Sequence, residues 1–308
     1  MKDSWYIFSH GKLCRHKNTL CFVSSEGDRT LLPVEDTKDV YCYGNITINS
    51  SLLGLLSSKG IVLHFFSYYG RYLGSWFPID NTISGDTLVR QVEVYSDFDK
   101  RLAIAKELVI AAVYNIHRNL RYYEERLENQ QIELTEPDIV QKEIENASSI
   151  NELMGIEGSY RKIYYSNWER ILGNKHTFSK RVRRPPDNLV NAMISFLNSM
   201  LYAKVNDSIF KTRLNPTLSF LHEPGKNRYS LALDIAEIYK PVIVDRLIFR
   251  MLNRGQITND DTKTYKNGVY LKRDAMKKVA TEFRNSLDIK IDFEKLGRLA
   301  SYGEIIDE

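Results

Sequence analysis

Cysteine is scarce in this sequence. Cys14, Cys21 and Cys42 all lie near the N-terminus, and no two of them form a Cys-x-x-Cys pair. A disulfide framework and a structural zinc site built on cysteines are therefore disfavoured. A reducing compartment, the cytoplasm, is expected.

Long hydrophobic runs are also lacking. The N-terminus MKDSWYIFSHGK has no apolar segment of the length found in signal peptides. The longest uniformly apolar run, LVIAAV at 108–113, falls far short of the roughly 20 residues that span a bilayer. No membrane partner is expected.

A large excess of charge of one sign is lacking as well. The 308 residues hold 43 Lys and Arg against 39 Asp and Glu, which leaves a net charge of +4. This excess is too small to identify a polyanionic partner by itself. The length allows two domains with cores of their own, and the apolar content of 43% is typical of globular proteins.

The hydrophobic pattern changes near residue 86. Residues 1–85 hold short β-rich segments separated by turn residues, with one helix in SSLLGLLSSKG that Gly60 would end. Helical periodicity follows, in segments at 102–123, 135–148, 150–173, 187–205, 230–253 and 271–286. The segment TFSKRVRRPPDN is a linker, because its paired prolines stop a helix. The predicted fold class is α+β: a small N-terminal β-rich domain (1–85) followed by a larger all-α catalytic domain (86–308).

Glu157 lies where the helical pattern calls for an apolar residue, in line with Leu153 and Tyr160. Gly155 and Gly158 flank it, although a glycine inside a helix costs about 1 kcal/mol relative to alanine. Two interpretations are open from this pattern. Either Glu157 is a functional acid that another group approaches closely, or a helix begins at Glu157 after a glycine hinge.

The segment SFLHEPGKNRYSLALDIAEIYKPVIVDR at 219–246 holds three more candidates. Asp234 and Glu237 are three residues apart and share a helix face, and His222 precedes them beside a Pro-Gly turn. Carboxylates suit Mg²⁺ and Mn²⁺, and an imidazole shifts the preference towards Mn²⁺ and later transition metals. The spacing is not that of a His-Glu-x-x-His zinc protease. A surface histidine and a solvated pair of acids are the alternative.

Basic residues alternate with aromatic ones close to these segments, in SKRVRRPP and SYRKIYYSNWER. Cations beside aromatic rings suit phosphate contacts and base stacking in nucleic acids. Solvated surface charge is the alternative, and it is equally open for KTYKNGVYLKRDAMKK near the C-terminus. The predicted nucleic-acid contacts are Lys180, Arg181, Arg183, Arg184, Arg161 and Tyr165.

Three segments resemble, in content and in order, the helical signatures of the CRISPR-associated integrases of spacer acquisition, the family numbered first among the CRISPR-associated proteins. They are LMGIEGSYRKIYY, RVRRPPDNLVNAMISFLNSMLY and LSFLHEPGKNRYSLALDIAEIYKPVIVDRLIF. GNITINSSLLGLLSSKGIVLHFFSYYGRYLGSWFP resembles the end of that family's N-terminal β domain. The resemblance covers nearly the whole chain.

The resemblance implies that Glu157, His222 and Glu237 are the catalytic metal ligands, for Mn²⁺ or Mg²⁺. Many relatives have aspartate at the last position, so Glu237 places its carboxylate one methylene further out. Asp234 matches a nearby family acid, expected either as an alternative ligand or as a partner that supports the ligands. Asn191 and the Arg-Pro-Pro at 184–186 match the middle signature, in structural or phosphate-facing roles.

The implied function is that of a metal-dependent DNA endonuclease and integrase. The 3′ hydroxyl of a short foreign DNA fragment would displace a strand of the CRISPR repeat array by transesterification, with activity falling in acid as His222 takes up a proton. The implied partners are double-stranded DNA (prespacer and repeat array), a second copy in a homodimer and the small ferredoxin-like CRISPR adaptation protein. The β-rich domain is the expected homodimer surface, unless Trp76 and Phe77 simply belong to its own core.

Two other classes of function are weighed against this one. A non-catalytic nucleic-acid scaffold would lose nothing measurable in a Glu157→Ala variant, and a repair or RNA-processing nuclease with general acid–base chemistry would stay active in EDTA. Neither explains three signatures in order. Relatives usually continue past the segment resembling KLGRLASYGEIIDE into another helix, so a shortened chain or a short variant is expected.

Overall fold

The computed structural model describes residues 3–78, 84–127, 132, 136–173, 175–225, 229–293 and 298–307. The first residue of the predicted 135–148 helix and residues 295–297 and 308 of the C-terminal segment lie outside this range. None of the helices in the described ranges combines the length and the apolar character needed to cross a membrane.

Two four-stranded sheets form the N-terminal part. Their strands are β1 (Asp3–Ile7), β2 (Gly11–His16), β3 (Thr19–Ser24), β4 (Arg29–Leu32), β5 (Thr37–Cys42), β6 (Ile46–Thr47), β7 (Val62–Phe66) and β8 (Tyr72–Trp76). One sheet, here called the central sheet, has the order β1-β5-β7-β8 and is parallel except for its last pair. The other has the order β4-β3-β2-β6. Helix α1 (Ser50–Lys59) begins at the side-chain cap Asn49, and it ends, as predicted, at the left-handed Gly60.

The central sheet is buried on both faces. Val40 and Cys42 of β5 pack into a core shared with α1 and the other sheet. Tyr41 and Tyr43, which alternate with them, pack into the larger core of the helical part. Successive side chains of a strand point to opposite faces, so β5 joins the two parts of the molecule.

The rest of the chain is mostly helical. The helices are α2 (Gly85–Ser96), α3 (Phe98–Glu124), α4 (Pro137–Asn146), α5 (Ile150–Ser166), α6 (Trp168–Ile171), α7 (Leu189–Lys211), α8 (Ser230–Tyr239), α9 (Arg246–Asn253), α10 (Arg273–Leu287) and α11 (Tyr302–Asp307). Helix α7 is buried on nearly every side, as expected of a central helix that is apolar all round.

The structure confirms the α+β class and corrects two details. Two hairpins, β9 (Thr262–Tyr265) with β10 (Gly268–Leu271) and β11 (Lys290–Phe293) with β12 (Arg298–Ser301), make the second part mostly rather than entirely helical. The single helix predicted at 230–253 consists of α8, a π-helical segment (Lys240–Asp245) and α9. The wider turn coincides with Pro241, which lacks the N–H of a regular helical bond.

Both aromatic residues at the end of the β-rich part are partly buried against other parts of the chain. Trp76 packs against the core around α1, and Phe77 stacks on Phe210 with ring centroids 3.6 Å apart. Both side chains therefore make contacts within the chain, Trp76 at the edge of a core cluster and Phe77 on Phe210. The prediction of a homodimer surface does not rest on them.

Candidate active site

Glu157 lies in the middle of α5, one turn before Arg161. Helix α5 begins at Ile150, where Ser149 caps it, so the alternative that a helix starts at Glu157 is wrong. The Nε of Arg161 donates to the Oε1 of Glu157 at 2.5 Å. Both side chains are largely buried, with 16% of Glu157 and 12% of Arg161 exposed. A carboxylate in such a place is stable only when it is paired.

Arg161 also joins Glu157 to Glu237. Its Nη2 donates to the Oε2 of Glu237 at 2.5 Å, although 76 residues separate the two in sequence. Burial works against the charged form of Arg161, but the two carboxylates outweigh it and hold the pKa of Arg161 well above its ordinary value. The predicted acids of α5 and α8 are thus brought to one guanidinium.

Glu237 is paired with a second cation as well. Lys240, one turn later, donates to its Oε1. Burial alone would raise the pKa of Glu237, but Arg161 and then Lys240 outweigh burial and lower it to about 2. Glu237 is therefore a buried carboxylate that stays ionised throughout the physiological range.

Asp234 holds the loop that carries His222. Its carboxylate, fully buried in α8, accepts the backbone N–H groups of Phe220, Leu221 and His222 at 2.7, 3.0 and 2.9 Å. The Nδ1 of His222 lies 2.8 Å from its Oδ1. Because a carboxylate accepts hydrogen bonds, Nδ1 donates to Asp234, and Nε2 is the ring nitrogen left for another partner. Every described contact of Asp234 is thus directed at the loop.

The donor types suit a divalent cation, but Arg161 lies between the two carboxylates, and the ligand atoms of Glu157, His222 and Glu237 are not all within 4.8 Å of one another. Two carboxylates meet at Arg161, and an imidazole with its Nδ1 tied to a buried carboxylate has the arrangement typical of metal-bound histidines. Glu157, His222 and Glu237 are the residues that could hold such an ion, and its charge would replace part of the charge that Arg161 and Lys240 now provide.

A groove of about 1380 Å³ opens beside these residues. His222, Glu237 and Tyr165 line it, whereas Glu157 is not among its described lining residues and reaches it through Arg161. Among the described lining residues, Glu237 is the one acid, against seven cations: Arg71, Arg161, Arg181, Arg183, Arg184, Lys240 and Lys266. A groove of this composition suits a polyanion.

The predicted nucleic-acid contacts divide into two groups. Lys180, Arg183 and Arg184 are exposed. Arg161 is paired with the two acids, so its charge serves the site and not an open DNA surface. Arg181 is turned inward, because its guanidinium donates to the Oδ1 of Asn191 at 3.0 Å and to Ser195 at 2.9 Å. Burial lowers the pKa of Arg181 to about 10.

Asn191 has a structural role. Its side-chain amide donates to the carbonyl of Lys180 at 3.0 Å and its Oδ1 accepts the N–H of Val182 at 3.1 Å. The linker before α7 is therefore fixed against that helix, and its exposed cations keep one position beside the groove.

Two side chains near the site were missed in the sequence. Lys240, three residues after Glu237, could have been found from helical spacing. Asp245 lies in the π-helical segment, and its burial raises its pKa to about 7 in spite of nearby Arg161. The mostly apolar segment around Asp245, PVIVDRLIF, gave no sign that Arg161 would lie nearby.

Comparison with known proteins gives consistent results. The family model for CRISPR associated protein Cas1 matches residues 5–285. The CRISPR-associated endonuclease Cas1 of Fusobacterium nucleatum is 41% identical over 306 residues, covering 99% of this chain and 90% of its own. The CRISPR-associated endonuclease Cas1 2 of Moorella thermoacetica is 45% identical over 303 residues, covering 98% and 92%.

Solved structures agree with these relatives. A Cas1 protein from Thermotoga maritima is 34% identical and superimposes with a TM-score of 0.86, covering 99% of this chain and 94% of its own. A casposase bound to integration product has a TM-score of 0.89 at 21% identity, covering all of this chain and 88% of its own. At that identity the casposase shares the fold, and nothing further follows from it here.

Proposed function

Because the chain belongs to the CRISPR-associated Cas1 family, we propose that it is a metal-dependent DNA endonuclease and integrase that inserts short foreign DNA fragments into a CRISPR repeat array. The observation that supports this proposal is that Glu157 and Glu237 share Arg161, while Glu237 and His222 line the same groove, which seven cations also line. The relatives named as endonucleases support it.

The proposed metal ligands are Glu157, His222 and Glu237, with Mn²⁺ or Mg²⁺ as the ion. When bound, such an ion would polarise the phosphoryl oxygen and offset negative charge on the leaving 3′ oxygen. Asp234 fixes His222 in the tautomer that presents Nε2. It is proposed here as the positioning residue and not as a ligand, because its oxygens are taken by the loop.

Arg161 pairs with both glutamates and Lys240 with Glu237, and these ion pairs hold the two carboxylates in place. The groove cations would hold the DNA backbone so that a 3′ hydroxyl lies in line with the scissile phosphate. In that reaction the 3′ oxygen forms a bond to phosphorus, the bond from phosphorus to the leaving 3′ oxygen breaks, and the proton moves from the attacking hydroxyl to the oxygen that leaves. No covalent bond to the protein is needed. Water in place of the hydroxyl gives hydrolysis.

The proposed partners follow from the two ends of a fragment, which need two sites at a fixed separation. We propose a homodimer formed through the β-rich part, residues 1–85, together with the small ferredoxin-like adaptation protein, in the cytoplasm. Leu31 on the edge strand β4 is 58% exposed and is available to such an interface. A structural neighbour at TM-score 0.81 comes from a Cas6-RT-Cas1–Cas2 complex.

A disintegration assay tests the proposal. A branched DNA that mimics a half-inserted fragment is incubated with wild type and with Glu157→Gln, in Mn²⁺ and in EDTA. Glu143→Gln makes the same change on an exposed position of α4 and serves as the matched control. We expect resealed strand with wild type and the control in Mn²⁺ only, and a loss of about 100-fold or more in Glu157→Gln.

The alternatives give different results in the same assay. Binding of the branch without resealing under any condition would indicate a scaffold. Cleavage that persists in EDTA would indicate a nuclease with general acid–base chemistry.

A further inference from the structure

A second group of possible metal ligands lies where the central sheet meets α7. Asp39 of β5, His64 of β7 and Asp207 of α7 each offer one ligand atom, and these three atoms lie within 4.8 Å of one another. All three residues are buried, at 1%, 0% and 0% exposed. None of them lines the groove described above.

The topology explains why they meet. In the parallel pairing of β5 with β7, Asp39 is opposite Val62 and Tyr41 is opposite His64, so Asp39 and His64 are diagonal neighbours. Both point to the face that carries Tyr41 and Phe66, which is the face packed against the helical part. Asp207 reaches them from near the C-terminal end of α7.

Three atoms in this group have no hydrogen-bond partner among the described residues. They are Asp39 Oδ1, His64 Nε2 and Asp207 Oδ1. A buried polar atom without a partner is costly and normally calls for an unseen water or ion. Here the three unpartnered atoms come from the three residues whose ligand atoms are close together.

The remaining atoms of the group are oriented by outer contacts. Ser75 Oγ lies 2.6 Å from the Nδ1 of His64 and 2.6 Å from the hydroxyl of Tyr72. This fixes the ring and leaves Nε2 as the inward atom, as is common for histidines that bind metals. Ser4 hydrogen-bonds Asp39, and Lys211 Nζ lies 2.5 Å from the Oδ2 of Asp207.

Three lysines, Lys38, Lys204 and Lys211, lie near the two acids of the group. Lys211 is the one described lysine that pairs directly with either acid, because Lys38 and Lys204 both pair with Asp307. Burial, followed by the charge of Asp207, raises the pKa of Asp39 to about 6. Burial lowers the pKa of His64 to about 4.

We propose that Asp39, His64 and Asp207 bind one divalent transition-metal ion, in the first place Zn²⁺, and that this ion fastens the central sheet to α7. Two carboxylates balance its charge, and one imidazole with carboxylate oxygens is a donor set that Zn²⁺ accepts. The partly exposed side chain of Lys211, 39% accessible, marks the side from which the ion enters.

Zn²⁺ binding to the full-length, metal-stripped protein tests this, with stoichiometry measured by competition with a chromophoric chelator. A His222→Ala/Glu237→Gln variant removes the candidate active site as a source of bound Zn²⁺. In that background we expect one Zn²⁺ per chain, affinity reduced on the order of 100-fold by adding Asp207→Asn, and a rise in Tm of about 5 °C at Zn²⁺ one hundred times Kd. Failure of the proposed function would leave this result unchanged, because the two sites are counted separately.

Lys211→Met provides a variant that keeps all three ligands. Removing the charge of Lys211 leaves Asp207 without a competing cation, so Zn²⁺ should bind about two to five times more tightly. No Zn²⁺ retained in the His222→Ala/Glu237→Gln background, or equal retention after Asp207→Asn, would overturn the proposal. If Asp207→Asn does not fold, Lys211→Met decides. Zn²⁺ binding that is weaker or unchanged in Lys211→Met would then overturn the proposal, because a proton shared by Asp39 and Asp207, in place of a metal ion, would account for it.

Discussion

Asp234 decides the orientation of His222, and its effect can be separated from that of the ligands. In wild type the Asp234 carboxylate accepts three backbone N–H groups. In Asp234→Asn the side-chain NH₂ is itself a donor, so at least one of these N–H groups loses its acceptor. We expect a 10- to 100-fold loss of resealing activity, a higher Mn²⁺ concentration for half-maximal rate and little change in DNA affinity. Asp99→Asn, an exposed acid of α3, is the control. Loss of DNA affinity in step with activity would count against a positioning role.

Asp245 gives a pH prediction that concerns stability. Its pKa in the folded protein, raised to about 7 by burial, lies above the value of about 3.9 for an unfolded chain. Its contribution to stability is thus present below pH 3.9 and is lost as pH rises through 7. Between pH 5 and 8 the free energy of unfolding of wild type should therefore fall, relative to that of Asp245→Asn, by on the order of a few kcal/mol. The pKa of Asp39 is also raised, but Asp39 is present in both proteins, so its effect cancels in the comparison. Parallel urea-midpoint profiles would contradict the assignment.

Glu157, His222 and Glu237 could be singled out in the sequence because each interrupts an apolar pattern or adjoins a turn. The residues that pair with them could not be predicted from the sequence. Arg161 was predicted as a DNA contact, since a cation on a helix gives no sign of an acid 76 residues away. Asp39, His64 and Asp207 come from two strands and a helix, so their meeting depends on sheet register and on packing that no local pattern records.

At the scale of elements, the two glycines of α5 are exposed, and a Cβ added at Gly155 or Gly158 would meet no described atom within 4 Å. Alanine at either position should raise the free energy of unfolding by about 0.5–1 kcal/mol, because glycine loses more backbone entropy in a helix. Gly54 of α1 is equally exposed and open, and Gly54→Ala is the control. Chemical denaturation measures the free energy of unfolding of all three variants.

DNA affinity of the same variants tests the sequence interpretation that these glycines admit a close neighbour. Weaker binding in Gly155→Ala or Gly158→Ala, with Gly54→Ala unaffected, would identify DNA as that neighbour. A fall in stability in the α5 variants would show that another group packs there.

The elements could be predicted to different degrees. Long helices such as α3 and α7 follow from sustained apolar spacing, and α1 from its cap residues. The hairpin of β9 and β10 did not stand out because its strands are four residues long and its sequence is polar. The π-helical segment keeps the apolar pattern of its neighbours, so only the hydrogen bonds reveal it.

At the scale of the whole molecule, the central sheet has one face towards α1 and the other towards the helical part, so the β-rich part and the candidate active site share one packed body. Arg71, beside β8, and Lys266, beside β9, line the same groove as His222. The polyanion surface is therefore assembled from both parts of the chain. An isolated helical part would lack one side of it.

The exposed cations of the linker give a prediction about this surface as a whole. Each phosphate contact adds about 0.9 to the slope of log affinity against log salt for double-stranded DNA. Replacing Lys180, Arg183 and Arg184 by Gln should thus lower the slope by about 2 to 3, equally for different DNA sequences, as measured by fluorescence anisotropy between 50 and 300 mM salt. The matched triple is Lys12, Arg15 and Lys17 to Gln on β2 and its turn, which removes the same charge at exposed positions outside the described groove lining. Equal slopes in the two triples would mean that net charge, and not the groove, binds the DNA.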